Sequence, residues 1–586
     1  MLEMSKRLFI YLVLCTWGLI AQANEKNYQV ELDTSAYLRS FLLKHLDIIK
    51  WRDNPRLTES EWKRLTQDAP KNIETLLQTE GYFSPLVTPS ISEENDVSLA
   101  KFKIESGPPM LVQQVDISFT GEITQQANDD PSAIQQLKQE WTLQPKMQFR
   151  QEDWDQAKRK LLTAILIERY PNATISNSRA EVNPETNTVQ LMVEINSGPS
   201  MRFGHLTIEG LERYPASIIE NLNPIKSGSR YSQSKLLTFQ SRLQESGYFR
   251  SVEVLANTKA TDSDGKQMID APVKVKVEEN QSVRIGVGAG YSTNTGARTQ
   301  LNLDHLNIFE LGWRLKSSLK LEQKAQSLES QILLPTDKSG YRDSMNASVD
   351  RTDIEGQMIT STQAGVKRAW GGRRKEQYIG ANILSEHVNL DGAESSNNFA
   401  GTLTYGITLR RTNNLINPTS GYLLNAQFTG APLDSLSDGK FLQTYLKAQG
   451  YYPISPSTQL ITRAEIGMVN GKNSAPEAFL FRAGGDQSVR GYGYQSLGVT
   501  EGDATVGGRY LVTGSIEVVQ WLTEQWGTAV FVDFGNAANT TKDLKPVYGY
   551  GLGVRWKSPV GPIGGDVAYG QETDEYRLHF NIGVAF

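Results

Sequence analysis

From residue 281 onward, apolar and polar positions alternate with period two. The opening segment places Val283, Ile285, Val287, Ala289 and Tyr291 on one face, and Arg284, Gly286, Gly288, Gly290 and Ser292 on the other. The last segment does the same, setting Tyr576, Leu578, Phe580, Ile582, Val584 and Phe586 against Arg577, His579, Asn581, Gly583 and Ala585. One face is apolar with aromatics at its ends and the other is polar or small, the pattern of a β-strand between lipid and water. Spanning strands must close into a cylinder, because an open edge in lipid leaves backbone groups unpaired. A soluble sandwich with one wet face also alternates, but here the pattern fills the whole region without helical interruption. At roughly 10 residues per tilted strand plus turns, about 14 to 18 strands fit.

Before residue 281 the periodicity is mixed. Three units can be read, each in the order strand, helix, helix, strand, strand, at 24–107, 108–198 and 199–280. Their last strands alternate alike: Lys101-Phe102-Lys103-Ile104-Glu105, Val189-Gln190-Leu191-Met192-Val193, and Val273-Lys274-Val275-Lys276-Val277. The second helix of the first and third units ends on Gly81-Tyr82-Phe83 and Gly247-Tyr248-Phe249, where glycine suits a left-handed cap. In the second unit Tyr170-Pro171 stands there, and proline is expected to stop the helix. Such short sheets leave an edge to which an extended peptide can add.

Composition narrows the classes. The chain has 586 residues and a net charge of −5, so several domains are expected and nucleic acid is not an evident partner. Mean hydropathy is −0.41, which argues against a helical membrane protein. Residues 1–23 read as a secretory signal, with Lys6-Arg7, an apolar run and Ala21-Gln22-Ala23. The single cysteine, Cys15, lies inside it, which excludes disulfide frameworks and cysteine metal sites from the mature chain. The five histidines lack ligand spacing, so no metal or other cofactor is expected. No G-x-S-x-G elbow occurs, and Gly286-x-Gly288-x-Gly290 lacks the helix of a dinucleotide site. No catalytic residue, enzyme activity or small-molecule substrate is therefore expected.

One stretch stands apart: Ala483-Gly484-Gly485-Asp486-Gln487-Ser488-Val489-Arg490-Gly491-Tyr492 sets one arginine among glycines. Glu517 and Asp533 follow on predicted strands, and a guanidinium suits such carboxylates. Val489-Arg490-Gly491-Tyr492, Phe531-Val532-Asp533-Phe534-Gly535 and Gly551-Leu552-Gly553-Val554-Arg555 occur in an order that resembles the outer-membrane insertase superfamily, which includes BamA, TamA and FhaC. Asn417-Pro418-Thr419-Ser420-Gly421 after Arg410-Arg411 resembles that family's P-x-x-G turn. The repeated units resemble its POTRA modules.

The resemblance implies three POTRA modules followed by a 16-stranded antiparallel transmembrane β-barrel at 281–586. It implies that Arg490 reaches down the lumen to Glu517 and Asp533, and that the protein sits in a Gram-negative outer membrane with its arm in the periplasm. Three modules imply the outer-membrane subunit of a translocation and assembly module. Such a subunit inserts unfolded outer-membrane protein clients, autotransporters included, with a TamB-like inner-membrane-anchored, periplasm-spanning partner. A two-partner-secretion transporter and a passive porin are the alternatives. The expected breakable seam between first and last strands comprises Val283, Ile285, Gly286, Gly288, Gly290, Phe580, Ile582 and Phe586.

Overall fold

The computed structural model describes residues 27–54, 56–94, 97–127, 131–261, 268–471, 475–558 and 561–585. The segment read as a secretory signal, and Phe586 at the expected seam, lie outside them. The described residues divide into two compact units: one holds the arm up to Thr207 with parts of the third module, the other the rest of that module with the barrel.

Three POTRA-like sheets of three strands each make up the arm. In the first, Asn27–Asp33 pairs in parallel with Val97–Glu105, which pairs antiparallel with Leu86–Glu94. Leu111–Thr120, Thr188–Asn196 and Thr174–Asn183 repeat this arrangement. The central strand is the most regular, because the helices cover only one of its faces: Ala100, Phe102 and Ile104 are buried while Lys101 and Lys103 are not. Trp62, Leu65, Ala69, Ile73 and Leu77 along helix Glu59–Thr79 supply the matching apolar stripe. Thr58 and Glu61 form a capping box at its start.

The first module departs from a plain two-helix reading. Its first helix is split into Ala36–His45 and Asp47–Trp51, because Leu46 is extended and buried. In the second module the helix Gln151–Ile167 stops four residues before Pro171, so proline is not what ends it. Glu168 turns extended and bridges to Ser232, and Arg169 takes φ +62°. The helix ends where its chain is recruited to the next module.

That recruitment follows one design at both junctions. At the first, Met110 N donates to Gly81 O and Met110 O accepts from Phe149 N, each at 2.8 Å. Gly81 has φ +86°, and a β-carbon there would lie 2.0 Å from Phe149 O, so the position needs glycine for conformation and for space. At the second, Met201 N donates to Arg169 O at 2.7 Å and Met201 O accepts from Tyr231 N at 3.0 Å. Both methionines are fully buried, so successive modules share backbone hydrogen bonds around an apolar peg.

The third module ends on a carboxylate clamp. Glu279 accepts from Glu212 N and Arg213 N at 2.9 Å, from Tyr214 N at 3.2 Å and from Arg213 Nε at 2.9 Å. Burial alone would raise its pKa, but these donors outweigh it and hold the carboxyl below its ordinary value. A lowered folded pKa stabilises the fold above the unfolded value and ceases to do so as pH falls through the folded one. Acidification below the ordinary carboxylate range is therefore expected to loosen 212–214, seen as faster amide exchange there; Glu279→Gln should show that faster exchange at neutral pH.

Sixteen strands form a closed, antiparallel barrel in sequence order. They are β1 (Val283–Ser292), β2 (Gly296–Ile308), β3 (Trp313–Glu322), β4 (Ala325–Leu333), β5 (Arg342–Ile354), β6 (Gln357–Gly372), β7 (Lys375–Leu390) and β8 (Ser396–Thr412). The second half is β9 (Gly421–Ala431), β10 (Phe441–Ser455), β11 (Thr458–Gly471), β12 (Tyr510–Trp521), β13 (Trp526–Ala538), β14 (Val547–Ser558), β15 (Gly561–Gly570) and β16 (Glu575–Ala585). Ile285, Val287 and Tyr291 on β1, and Ile516, Val530, Leu552 and Val567 further round, are exposed on the outer face. A lipid-facing surface requires that inversion.

Closure is uneven. Among the described residues β1 pairs with β2 over ten residues and with β16 over five, from Gly288 opposite Ala585 to Ser292 opposite Asn581. Gly288, Gly290 and Ile582 lie in this stretch. Val283, Ile285 and Gly286 do not: among the described residues their strand partner is β2 alone. Phe580 stands just beyond it, where Thr293 brackets its backbone at 3.0 and 3.1 Å and Tyr291 stacks on its ring at 5.6 Å.

Candidate functional site: the loop lodged in the barrel

The connection between β11 and β12 is far longer than a hairpin turn, and it folds back into the lumen. Phe481, Ala483, Phe479 and Leu497 of this loop pack against Ala400, Phe441, Val469 and Leu511 of the wall, forming an apolar core inside the barrel. Deeper in lies Val489-Arg490-Gly491-Tyr492. Val489 is fully buried and Tyr492 and Arg490 are each 2% exposed.

Arg490 meets three strands. Its Nε and Nη2 form a fork on Asp533 of β13, at 2.7 and 2.9 Å, and its backbone N donates to the same carboxylate at 3.1 Å. Nη1 donates to Glu517 Oε2 on β12 at 2.8 Å and to Asp566 Oδ2 on β15 at 3.0 Å. The Phe531 ring lies under the guanidinium, 3.3 Å from its carbon to the ring centroid. Period two explains the convergence, since Phe531 and Asp533, like Ser515 and Glu517, share the inward face of their strands.

Backbone access completes the fit. Gly491 has φ +95°, and a β-carbon on it would lie 2.7 Å from Gly570 N. Gly549 of β14 leaves room for Arg490 O, which a β-carbon there would approach to 1.9 Å. Gly491 N donates to His579 Nε2 on β16 at 2.9 Å, so the motif touches the last strand as well. Tyr492 donates its hydroxyl to Tyr548 O at 3.1 Å.

The sequence singled out Arg490, Glu517 and Asp533, and they lie together. It did not single out Asp566 or Arg463, and it quoted Arg555 only as the end of a strand motif, with no role in the cluster. Arg555 of β14 binds both oxygens of Glu517, at 2.8 and 2.7 Å, and Asp566 at 2.6 Å. Arg463 of β11 donates to the loop carbonyls of Asp486 and Gln487 at 3.5 and 3.4 Å and stands 4.0 Å from Asp533. Three guanidiniums thus face three carboxylates. The available signal was parity: Arg555 continues the inward positions Gly549, Gly551 and Gly553. A cavity of about 520 Å³ beneath the cluster is bordered by Leu415, Ile416 and Pro418 of the β8–β9 turn.

A closed barrel of lipid-facing strands, a loop arginine buried among lumen acids and an arm of β-α-α-β-β modules together define an outer-membrane protein with periplasmic POTRA modules. Residues 277–586 match the Omp85 superfamily domain and residues 201–280 match POTRA, the surface antigen variable number repeat. The chain belongs to the Omp85 superfamily.

Among known proteins, the chain is 24% identical over 524 residues to the outer membrane protein assembly factor BamA of Nitratidesulfovibrio vulgaris, across 85% of this chain and 64% of that one. It therefore spans somewhat less than two thirds of that relative's length. It is 36% identical over 129 residues to the chloroplastic outer envelope protein 80 of Arabidopsis thaliana, across 20% of this chain and 16% of that one. The crystal structure of BamA from Haemophilus ducreyi lacking POTRA domains 1-3 superposes with a TM-score of 0.67 at 18% identity, covering 81% of this chain and all of that one.

Proposed function

We propose that this protein is the outer-membrane subunit of a translocation and assembly module, of the TamA type. It promotes insertion of β-barrel outer-membrane proteins and secretion of autotransporters, and it does so without enzymatic chemistry. The five-residue closure between β1 and β16 carries the reading. Among the described residues β16 is held by five residue pairs to β1 and six to β15, the shortest ladders of the barrel, and Gly288 and Gly290 lower the cost of parting β1 from β16 further by offering no side-chain packing. A parted seam presents backbone donors and acceptors to which an incoming strand can pair. Burial of the client's outward face in lipid then makes insertion favourable.

The arm supports the finer assignment. Three modules suit the TamA type, and the exposed edge strands Leu86–Glu94 and Thr174–Asn183 can accept an extended peptide from a client or a TamB-like partner. The Met110 and Met201 junctions make the modules successive segments of a stiff relay. Liposomes carrying the full chain are expected to fold an added, urea-denatured β-barrel client faster than protein-free liposomes. Equal rates would refute the assembly reading.

A further inference from the structure

The loop is held at a second place, far from Arg490. Its segment Glu477–Phe479 forms one short 3-10 turn. Glu386 of β7 is 2% exposed and aims both carboxylate oxygens at the start of that turn. Oε1 accepts from Glu477 N at 2.6 Å and Oε2 from Ala478 N at 3.2 Å, while Asn398 of β8 donates to Oε1 at 2.8 Å. The contact is reciprocal: Glu477 Oε2 accepts from Gln357 Nε2 of β6 at 2.9 Å and from Gly507 N at 3.0 Å. Beside it, the small hairpin Val499–Val506 sits on two outer turns, with Thr505 N donating to Glu355 O and Asp503 N to Asp391 O at 2.9 Å each.

Among the described residues no ion pair neutralises Glu386. A buried carboxylate without a cation is costly and is tolerated where N–H groups meet it. Packing alone would be served by an apolar side chain. β7 lies across the barrel from the β1–β16 seam, whereas Arg490 binds β12, β13 and β15 beside that seam. We infer that Glu386 is a positioning residue that fastens the root of the loop to the wall opposite the seam, independently of Arg490. The root then keeps the lumen covered while the tip and the seam-side wall shift. This rests on reading the seam as the moving part, but the latch itself is measured without any client.

The full-length chain, Glu386→Gln, Arg490→Ala and the double variant are compared in planar bilayers and by limited proteolysis, with heat-modifiable mobility confirming the barrel. Glu386→Gln should raise open probability roughly tenfold, as loss of charge-assisted hydrogen bonds implies. New cleavage should fall within 475–483, and Arg490→Ala cleavage within 484–495. Independent anchors act additively in free energy, so the double variant should open by the product of the single effects. If Glu386→Gln conducts and digests like the parent, or if the double variant matches Arg490→Ala alone, the second anchor does not exist. Should Glu386→Gln fail to insert, Gln357→Met, which removes only the donor to Glu477, carries the same test: root cleavage supports the latch, and an unchanged digest overturns it.

Discussion

Arg490→Ala is expected to leave an intact sixteen-strand barrel whose loop tip is cut by added protease. The effect is large because the carboxylates are unequally dependent on this side chain. Glu517 and Asp566 retain Arg555. Asp533, fully buried, loses its fork and keeps only the backbone N of residue 490 at 3.1 Å and, as its one remaining cation, Arg463 at 4.0 Å. Leaving a buried charge uncompensated costs about 3–5 kcal/mol. Expelling the loop and admitting water relieves that cost, whereas the strand ladders do not depend on it. Arg490→Lys should fall between, because an ammonium cannot form the planar fork on Asp533. Digestion within 484–495, with unchanged heat-modifiable mobility, is the expected pattern. A digest identical to that of the parent chain would remove Arg490 from its place as the brace of the loop.

The second large effect concerns the seam. Gly290 and Gly583 stand opposite each other in the five-residue pairing. With Gly290→Cys and Gly583→Cys, oxidation should stop client insertion almost completely, and reduction should restore it. A control pair, Gly288→Cys with Gln300→Cys, joins β1 to β2 in the long ladder and should leave insertion unaffected by oxidation. Comparing the two pairs separates a need for seam opening from a general sensitivity of β1 to cross-linking. Undiminished insertion by the oxidised seam variant would show that clients enter without parting β1 from β16.

The two halves of the chain were legible to different degrees. Period-two alternation and the family motifs together lead to sixteen strands, because each outward side chain must satisfy lipid and so writes itself into the sequence. The lumen is harder to read. An inward position tolerates glycine, serine, glutamate or arginine alike, so nothing local marks Asp566 as a partner of Arg490 76 residues before it; only the barrel brings them within 3.0 Å. Glu386 is a stronger case, since its donors at Glu477 and Ala478 are backbone groups and leave no residue-type signature. That the first and last strands close the barrel could be expected, but not the extent of their pairing, because hydrogen-bond register depends on barrel stagger rather than on side-chain identity. Proline at 171 misled for a similar reason: the helix had already ended at Ile167, under the pull of Tyr231 in the next module.

The charges gathered under the loop tip have a bearing on the cell's permeability barrier. Arg463, Arg490 and Arg555 are matched in number by Glu517, Asp533 and Asp566, so their fields largely cancel. A stray ion arriving from the periplasm meets neither a ring of one sign that would draw it in nor one that would turn it back. Leakage is therefore resisted by bulk rather than by repulsion, and it should be about as low for chloride as for potassium. A barrel built this way can displace its stopper without becoming, even briefly, a selective ion channel.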